Sequence, residues 1–267
     1  MEFDVPELGG AVVAPGVDCL VVLGDSGSSG FGTGGRGYPV LVGEALRANK
    51  VENFAQFGQT TKLMVEEDLP KVALLRPNIV IVEAGMGDSL PHPSERIQQL
   101  LERFVPSTWH GVNGLERRAY FSGTRRRRAQ QWIVATFKTN LKRAIISVTG
   151  GFTRSTPEEY RTYLEQLFTA LEATSPIIVS VGLFDLDQHN FPKQHALNVP
   201  FRTVREDVLE RHPHILRAEI DHRLHRWDDF HGDHCHWNAA GHATVAEVII
   251  EALQPVLPEL GPAHITR

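Results

Sequence analysis

Five apolar residues, Cys19 to Leu23, end abruptly at Gly24-Asp25-Ser26. A short unbroken apolar run stopped by glycine predicts a strand buried on both faces. The glycine-rich segment 24–37 then reads as a loop that leads into a helix from about Pro39 to Ala48. The same order recurs. Lys50 to Ala55 predicts a second strand closed by Gln56-Phe57-Gly58-Gln59-Thr60, and Thr61 to Leu75 keeps helical spacing as far as Arg76-Pro77. Asn78 to Ala84 predicts a third strand, broken at Gly85-Met86-Gly87-Asp88. Beyond residue 150 come a helix over 157–173, a strand from Pro176 to Val181, and a loop over 182–200. A helix over 201–211, a strand near 215–220 and a helix over 238–253 complete the pattern. Strands that alternate with helices predict an α/β fold, a three-layer sandwich around a parallel sheet of flavodoxin-like organisation.

Residues 92–150 break the alternation. They offer no strand but carry Trp109, Arg117-Arg118, the run Arg125 to Arg128, and helical spacing through Trp132, Phe137, Lys138, Leu141, Lys142 and Arg143. This predicts a helical insertion laid as a lid over the carboxyl edge of the sheet. A chain of 267 residues with 42% hydrophobic content fills one large domain, so 1–267 reads as a single unit carrying that insertion. The net charge of −5 gives no general attraction to nucleic acid or to an anionic membrane. Cys19 sits in a strand and Cys235 in a polar motif, which argues against a disulfide. Met1-Glu2-Phe3-Asp4 starts no secretion signal, and no apolar run reaches membrane-spanning length, so a soluble cytoplasmic protein is expected.

Ser26 lies where a strand gives way to a loop and helix, a position that exposes a hydroxyl near helix-start amides. A serine hydroxyl needs an imidazole to take its proton and a carboxylate to orient that ring. Some two hundred residues on, Asp233-His234-Cys235-His236-Trp237-Asn238-Ala239-Ala240-Gly241-His242 supplies both in one turn, through Asp233 and His236. Gly58 and Gly85 follow predicted strands. Amides of small residues there can face a developing oxyanion, and the same glycines can equally serve turns of positive φ. His222, His225, His231, His234, His236 and His242 raise a zinc alternative. Zinc wants three or four converging ligands with supporting partners, and a catalytic loop explains the spacing better, so no metal and no cofactor are expected.

In chain order these pieces resemble the blocks of the SGNH (GDSL-type) hydrolase superfamily. Gly24-Asp25-Ser26 resembles the first, which implies Ser26 as nucleophile and its amide as an oxyanion donor. Gly58 resembles the second-block glycine, and Asp233 to His236 resembles the final Asp-x-x-His with its Asn-Ala-Ala-Gly-His tail. Gly85-Met86-Gly87-Asp88 stands at the third block, Gly-x-Asn-Asp, with Gly87 in place of the asparagine. The resemblance thus implies catalytic roles for Ser26, Asp233 and His236, and oxyanion or substrate contacts at Gly58, Gly85, Gly87 and Asp88. The asparagine amide is an oxyanion donor whose loss costs about a hundredfold in rate. Three consequences are open: the Gly87 amide turns inward, a side chain from the insertion reaches in, or the site binds without catalysing. Met86 to Pro91, Phe104-Val105-Pro106, Trp109 and His236-Trp237-Asn238 are locally similar to a branch that includes diglucosylglycerate octanoyltransferase.

The expected chemistry is ester hydrolysis or acyl transfer through an acyl-serine. The donor would be a small acyl ester or acyl-thioester, and transfer would add a sugar or other alcohol acceptor. Arg125 to Arg128 are the first candidates to hold phosphate groups of such a donor, although a solvated helix face explains them too. The competing class is a non-catalytic carbohydrate- or partner-binding protein, suggested by Gly87 and by Trp109, Trp132, Trp227 and Trp237.

Overall fold

A computed structural model describes residues 17–110, 115, 124–174 and 177–257. Met1 to Asp4, Arg117, Arg118 and Pro176 lie outside the described residues. Strands β1 (Cys19–Leu23) and β3 (Ile79–Val82) are apolar throughout and fully buried, and they pair in parallel at the centre of the sheet. β2 (Lys50–Asn53) flanks β1 at one edge, where its Lys50 and Glu52 meet in an exposed ion pair. β4 (Ile177–Val181) flanks β3, and β5 (Leu216–Ala218) forms the far edge. The order is β2-β1-β3-β4-β5 with every pair parallel.

That order fixes where a site can form. The chain leaves β1 toward one edge and β3 toward the other, so a crevice opens between their carboxyl ends. Right-handed crossovers place α1 (Tyr38–Ala45) on one face, where it packs on α9 (Ala239–Leu253). The connections that move the other way bring α7 (Pro157–Glu172) and α8 (Gln194–Arg211) together on the opposite face. Local sequence sets the helix starts. Thr156 and Glu159 form a reciprocal capping box with Pro157 in the first turn of α7. The Asn238 side chain accepts from the Ala240 and Gly241 amides at the start of α9.

Two helices differ from the sequence expectation. The segment read as one helix from Thr61 to Leu75 is α2 (Thr61–Leu63), a π turn (Met64–Asp68) and α3 (Leu69–Leu75). Pro70 has no N–H and crowds a regular turn, and the widened turn, in which the Leu69 amide reaches the Met64 carbonyl, absorbs that conflict. It also leaves the Asp68 carboxylate fully buried, accepting from the Gln59 amide and from Lys71 Nζ at 2.7 Å. The predicted loop 182–200 ends early, because α8 begins at Gln194 and carries Pro200 inside it. Buried Gln194 and Asn198 hold this extra length by bonding the backbone of Phe184 and Leu186.

Between 92 and 150 the described residues form α5 (Glu95–Glu102), a 3-10 turn (Ser107–Trp109) and α6 (Arg125–Thr149). A single antiparallel bridge between His92 and Phe152 draws the two ends of this stretch together. α4 (Met86–Ser89) is a short turn of helix directly after β3. Among the described residues no helix is long and apolar enough to cross a membrane.

Candidate functional site

Ser26 is half-buried in the tight turn that follows β1. The turn folds on itself, since the Gly27 amide donates to Asp25 Oδ1 at 2.8 Å and Ser29 Oγ donates to the Ser26 carbonyl at 2.7 Å. From beneath, Glu83 holds it. Glu83 directly follows β3, and its Oε2 accepts from Ser28 Oγ at 2.6 Å and from the Asp25 amide at 3.4 Å, while Ser28 Oγ also meets Tyr38 Oη at 2.6 Å. Burial pushes the Glu83 carboxyl well above the usual carboxylate range, with the neighbouring Asp25 charge adding to it. Sequence reasoning passed over Glu83. A lone acid in the apolar run 78–84 was the available signal.

The second half of the site comes from the loop before α9. Asp233 is buried, and its Oδ2 meets His236 Nδ1 at 2.8 Å. Its Oδ1 accepts from the Cys235 and His236 amides at 3.0 and 3.1 Å. Burial alone would raise the Asp233 carboxyl, but the His236 hydrogen bond and charge and the two amides outweigh it and hold the group below its ordinary range. With Nδ1 engaged, Nε2 is the ring nitrogen on the far side from the carboxylate. The imidazole packs with two aromatic rings, Phe31 at 4.9 Å and Phe57 at 5.8 Å between centroids, which are themselves 5.1 Å apart.

Ser26 and His236 line the same cavity, of about 380 Å³. Phe31, Phe57, Met86, Leu90, Phe184 and Phe191 make most of its wall apolar, and His92 and Arg154 are further polar members. Gly58 and Gly87 line it too. Gly85 and Asp88 are not among its lining residues. Gly85 has φ 114°, and a Cβ there would lie 2.9 Å from both Leu183 and the Tyr160 hydroxyl, so packing and backbone geometry require it. Buried Asp88 uses its carboxylate to accept from the Thr61 amide at 2.9 Å, Thr61 Oγ1 at 2.7 Å and Ser155 Oγ. It ties the third-block turn to two other segments.

Other expected contributors are elsewhere. Arg125 to Arg128 are exposed at the start of α6, and none of them lines the cavity. None of the four tryptophans lines it either; Trp237 is fully buried against Tyr38, Phe184 and His242, whereas Trp132 and Trp227 are exposed. Among the described residues no group of three or more His, Cys, Asp or Glu is placed to hold a metal ion.

His242 is instead part of the frame. Its Nδ1 accepts from the Tyr38 amide at 3.1 Å, and burial, with His231 and His236 nearby, pushes it from 6.5 down to about 3. Below pH 6.5 the unfolded chain takes a proton here that the folded chain refuses until about pH 3. Stability is therefore expected to fall as the solution is acidified, by about 1.4 kcal/mol per pH unit across that window. Urea unfolding of the wild type and of His242→Asn between pH 7 and 4 checks this, as the variant should lose that slope.

A family model described as "GDSL-like Lipase/Acylhydrolase family" matches residues 22–244. The chain belongs to that family. As a GDSL esterase it is a serine-dependent ester hydrolase. No curated protein is similar enough to match it. Among solved structures, that of TesA has 15% sequence identity and a TM-score of 0.57, covering 89% of this chain and 99% of that one. LAE5, an alpha/beta hydrolase enzyme from the metagenome of Lake Arreo, Spain, has 17% identity and a TM-score of 0.56, with 92% and 98% covered. Axe2, an acetylxylan esterase from Geobacillus stearothermophilus, has 16% identity and a TM-score of 0.53, with 90% and 95% covered. These likenesses show the shared fold.

Gly87 explains how this member departs from the family's third block. A Cβ at this position would lie 1.9 Å from the Gln59 carbonyl oxygen, so the backbone has closed over the space an asparagine side chain would need.

Proposed function

We propose that this esterase cleaves a small acyl ester through a Ser26-His236-Asp233 triad. The observation that carries it is the Asp233 to His236 pair at 2.8 Å, with that imidazole and Ser26 on one cavity wall. His236 Nε2 accepts the Ser26 Oγ proton as Oγ bonds to the ester carbonyl carbon, and the carbonyl electrons move to its oxygen. The amides of Ser26 and Gly58 stabilise that oxygen. When the tetrahedral adduct collapses, the C–O bond to the alcohol breaks and His236 returns the proton to the leaving alcohol. Water then repeats the sequence on the acyl-serine and releases the acid. Asp233 orients the ring and offsets the charge it gains.

The apolar wall formed by Phe31, Phe57, Leu90 and Phe191 suits the acyl group. Arg125 to Arg128 are not among the residues that line the cavity, and the family's description as lipases and acylhydrolases supports water as the acceptor. A fluorophosphonate probe tests the assignment. The wild type should be labelled on one residue, and Ser26→Ala should not be labelled at all. Labelling that survives this substitution places the nucleophile elsewhere.

A further inference from the structure

Resting on that reading of Ser26, we propose that the Arg154 guanidinium is the oxyanion donor that takes over from the asparagine replaced by Gly87. The family's third block carries an asparagine whose side-chain amide donates to the oxyanion. Here that route is closed at Gly87 by the Gln59 carbonyl. Arg154 lies four residues past the expected end of the insertion, and its guanidinium contacts Gly58. It lines the cavity together with Ser26, Gly58, Gly87 and His236.

Its placement is fixed from both ends. The Arg154 amide donates to the Asp88 carbonyl at 3.0 Å and the Ser155 amide to the same oxygen at 3.4 Å, while Ser155 Oγ bonds the Asp88 carboxylate. The turn that lacks the asparagine thus grips the segment that carries the arginine. At the far end of the side chain, Nη1 donates to the Gly58 carbonyl. The guanidinium packs directly on Gly58: a Cβ there would lie 2.7 Å from Nη1, 3.0 Å from Nη2 and 3.1 Å from Cζ. The volume that a side chain at position 58 would fill is therefore occupied by a planar cation. Guanidinium carries five N–H groups in a rigid fork, so one side chain can serve several acceptors on the same plane. A full positive charge on the wall of the cavity that holds Ser26 favours an anionic adduct over the neutral ester, which is the requirement for lowering the barrier and not merely tightening substrate binding.

The test uses the full chain and a neutral p-nitrophenyl ester, which carries no standing anion for Arg154 to recognise. Arg154→Ala should lose about a hundredfold in kcat with little change in KM. Arg154→Lys should keep part of the rate, and added guanidinium should restore kcat to the alanine variant, an effect that a purely structural role would not produce. Folding is followed by thermal unfolding; should the alanine variant fail to fold, Arg154→Gln and Arg154→Lys carry the same comparison. A folded variant with wild-type kcat, or a loss confined to KM, overturns the proposal. Fluorophosphonate labelling separates the two levels. Wild type labelled at Ser26 with Arg154 variants at full kcat defeats the arginine role alone, whereas wild type unlabelled at Ser26 defeats the serine assignment and the arginine role with it.

Discussion

Replacing His236 with alanine is expected to lower kcat by about 10⁴-fold or more, the loss seen when a triad acts as one unit and its base is removed. Among the described residues that line the cavity, His92 is the one other imidazole. The ring is fixed by Asp233 at 2.8 Å and walled by Phe31 and Phe57, and His92 belongs to a different segment of the cavity wall. The substitution also removes one of the bonds that holds the Asp233 carboxylate below its ordinary range, so that group should titrate higher in the variant. A carboxyl held low contributes stability above its unfolded value of 3.8 that is lost as pH falls through the folded value. The variant should therefore gain less stability from that pair at neutral pH. Steady-state hydrolysis of a p-nitrophenyl ester measures the rate effect. A loss of less than about tenfold would remove His236 from proton transfer.

Restoring the family's asparagine, Gly87→Asn, is expected to damage the enzyme. The new Cβ would stand 1.9 Å from the Gln59 carbonyl oxygen, a backbone atom that cannot swing aside as a side chain would. Retreat of that loop is resisted because the Gln59 side-chain amide is bonded to buried Asp68 at the end of the π turn. Overpacking against a pinned backbone costs about 3 kcal/mol. The urea midpoint should fall accordingly, and kcat should drop with it as the Gly58 amide is displaced. Native stability together with a raised kcat would show that the loop yields and that an asparagine here can donate to the oxyanion.

Much of the frame is legible in the chain because its signals are local. Cys19 to Leu23 and Asn78 to Ala84 announce buried parallel strands by composition alone, and the glycines that end them mark the crevice. That Ser26 and His236 share one cavity, with Asp233 bonded to the imidazole, is legible because the α/β order restricts place. Arg154 is not. Its position depends on an amide bond to the carbonyl of Asp88, 66 residues earlier in the chain, and on Gly58 being bare, neither of which leaves a mark on the residues around it. Glu83 is hidden inside an apolar run, and Pro200 reads as a boundary because the buried amides of Gln194 and Asn198 that extend α8 past it act through tertiary contacts. Arg125 to Arg128 mislead in the opposite sense, as a dense local signal with no part in the cavity.

The irregular stretch at Met64 to Asp68 holds one residue more than an evenly wound coil would use, and that spare length is what lets a carboxylate reach sideways beneath the second-block loop. None of the residues from 61 to 75 borders the chamber. The shape of its floor is thus governed at a distance, by a defect in winding whose removal would shift the loop without altering any group that a bound ester could touch.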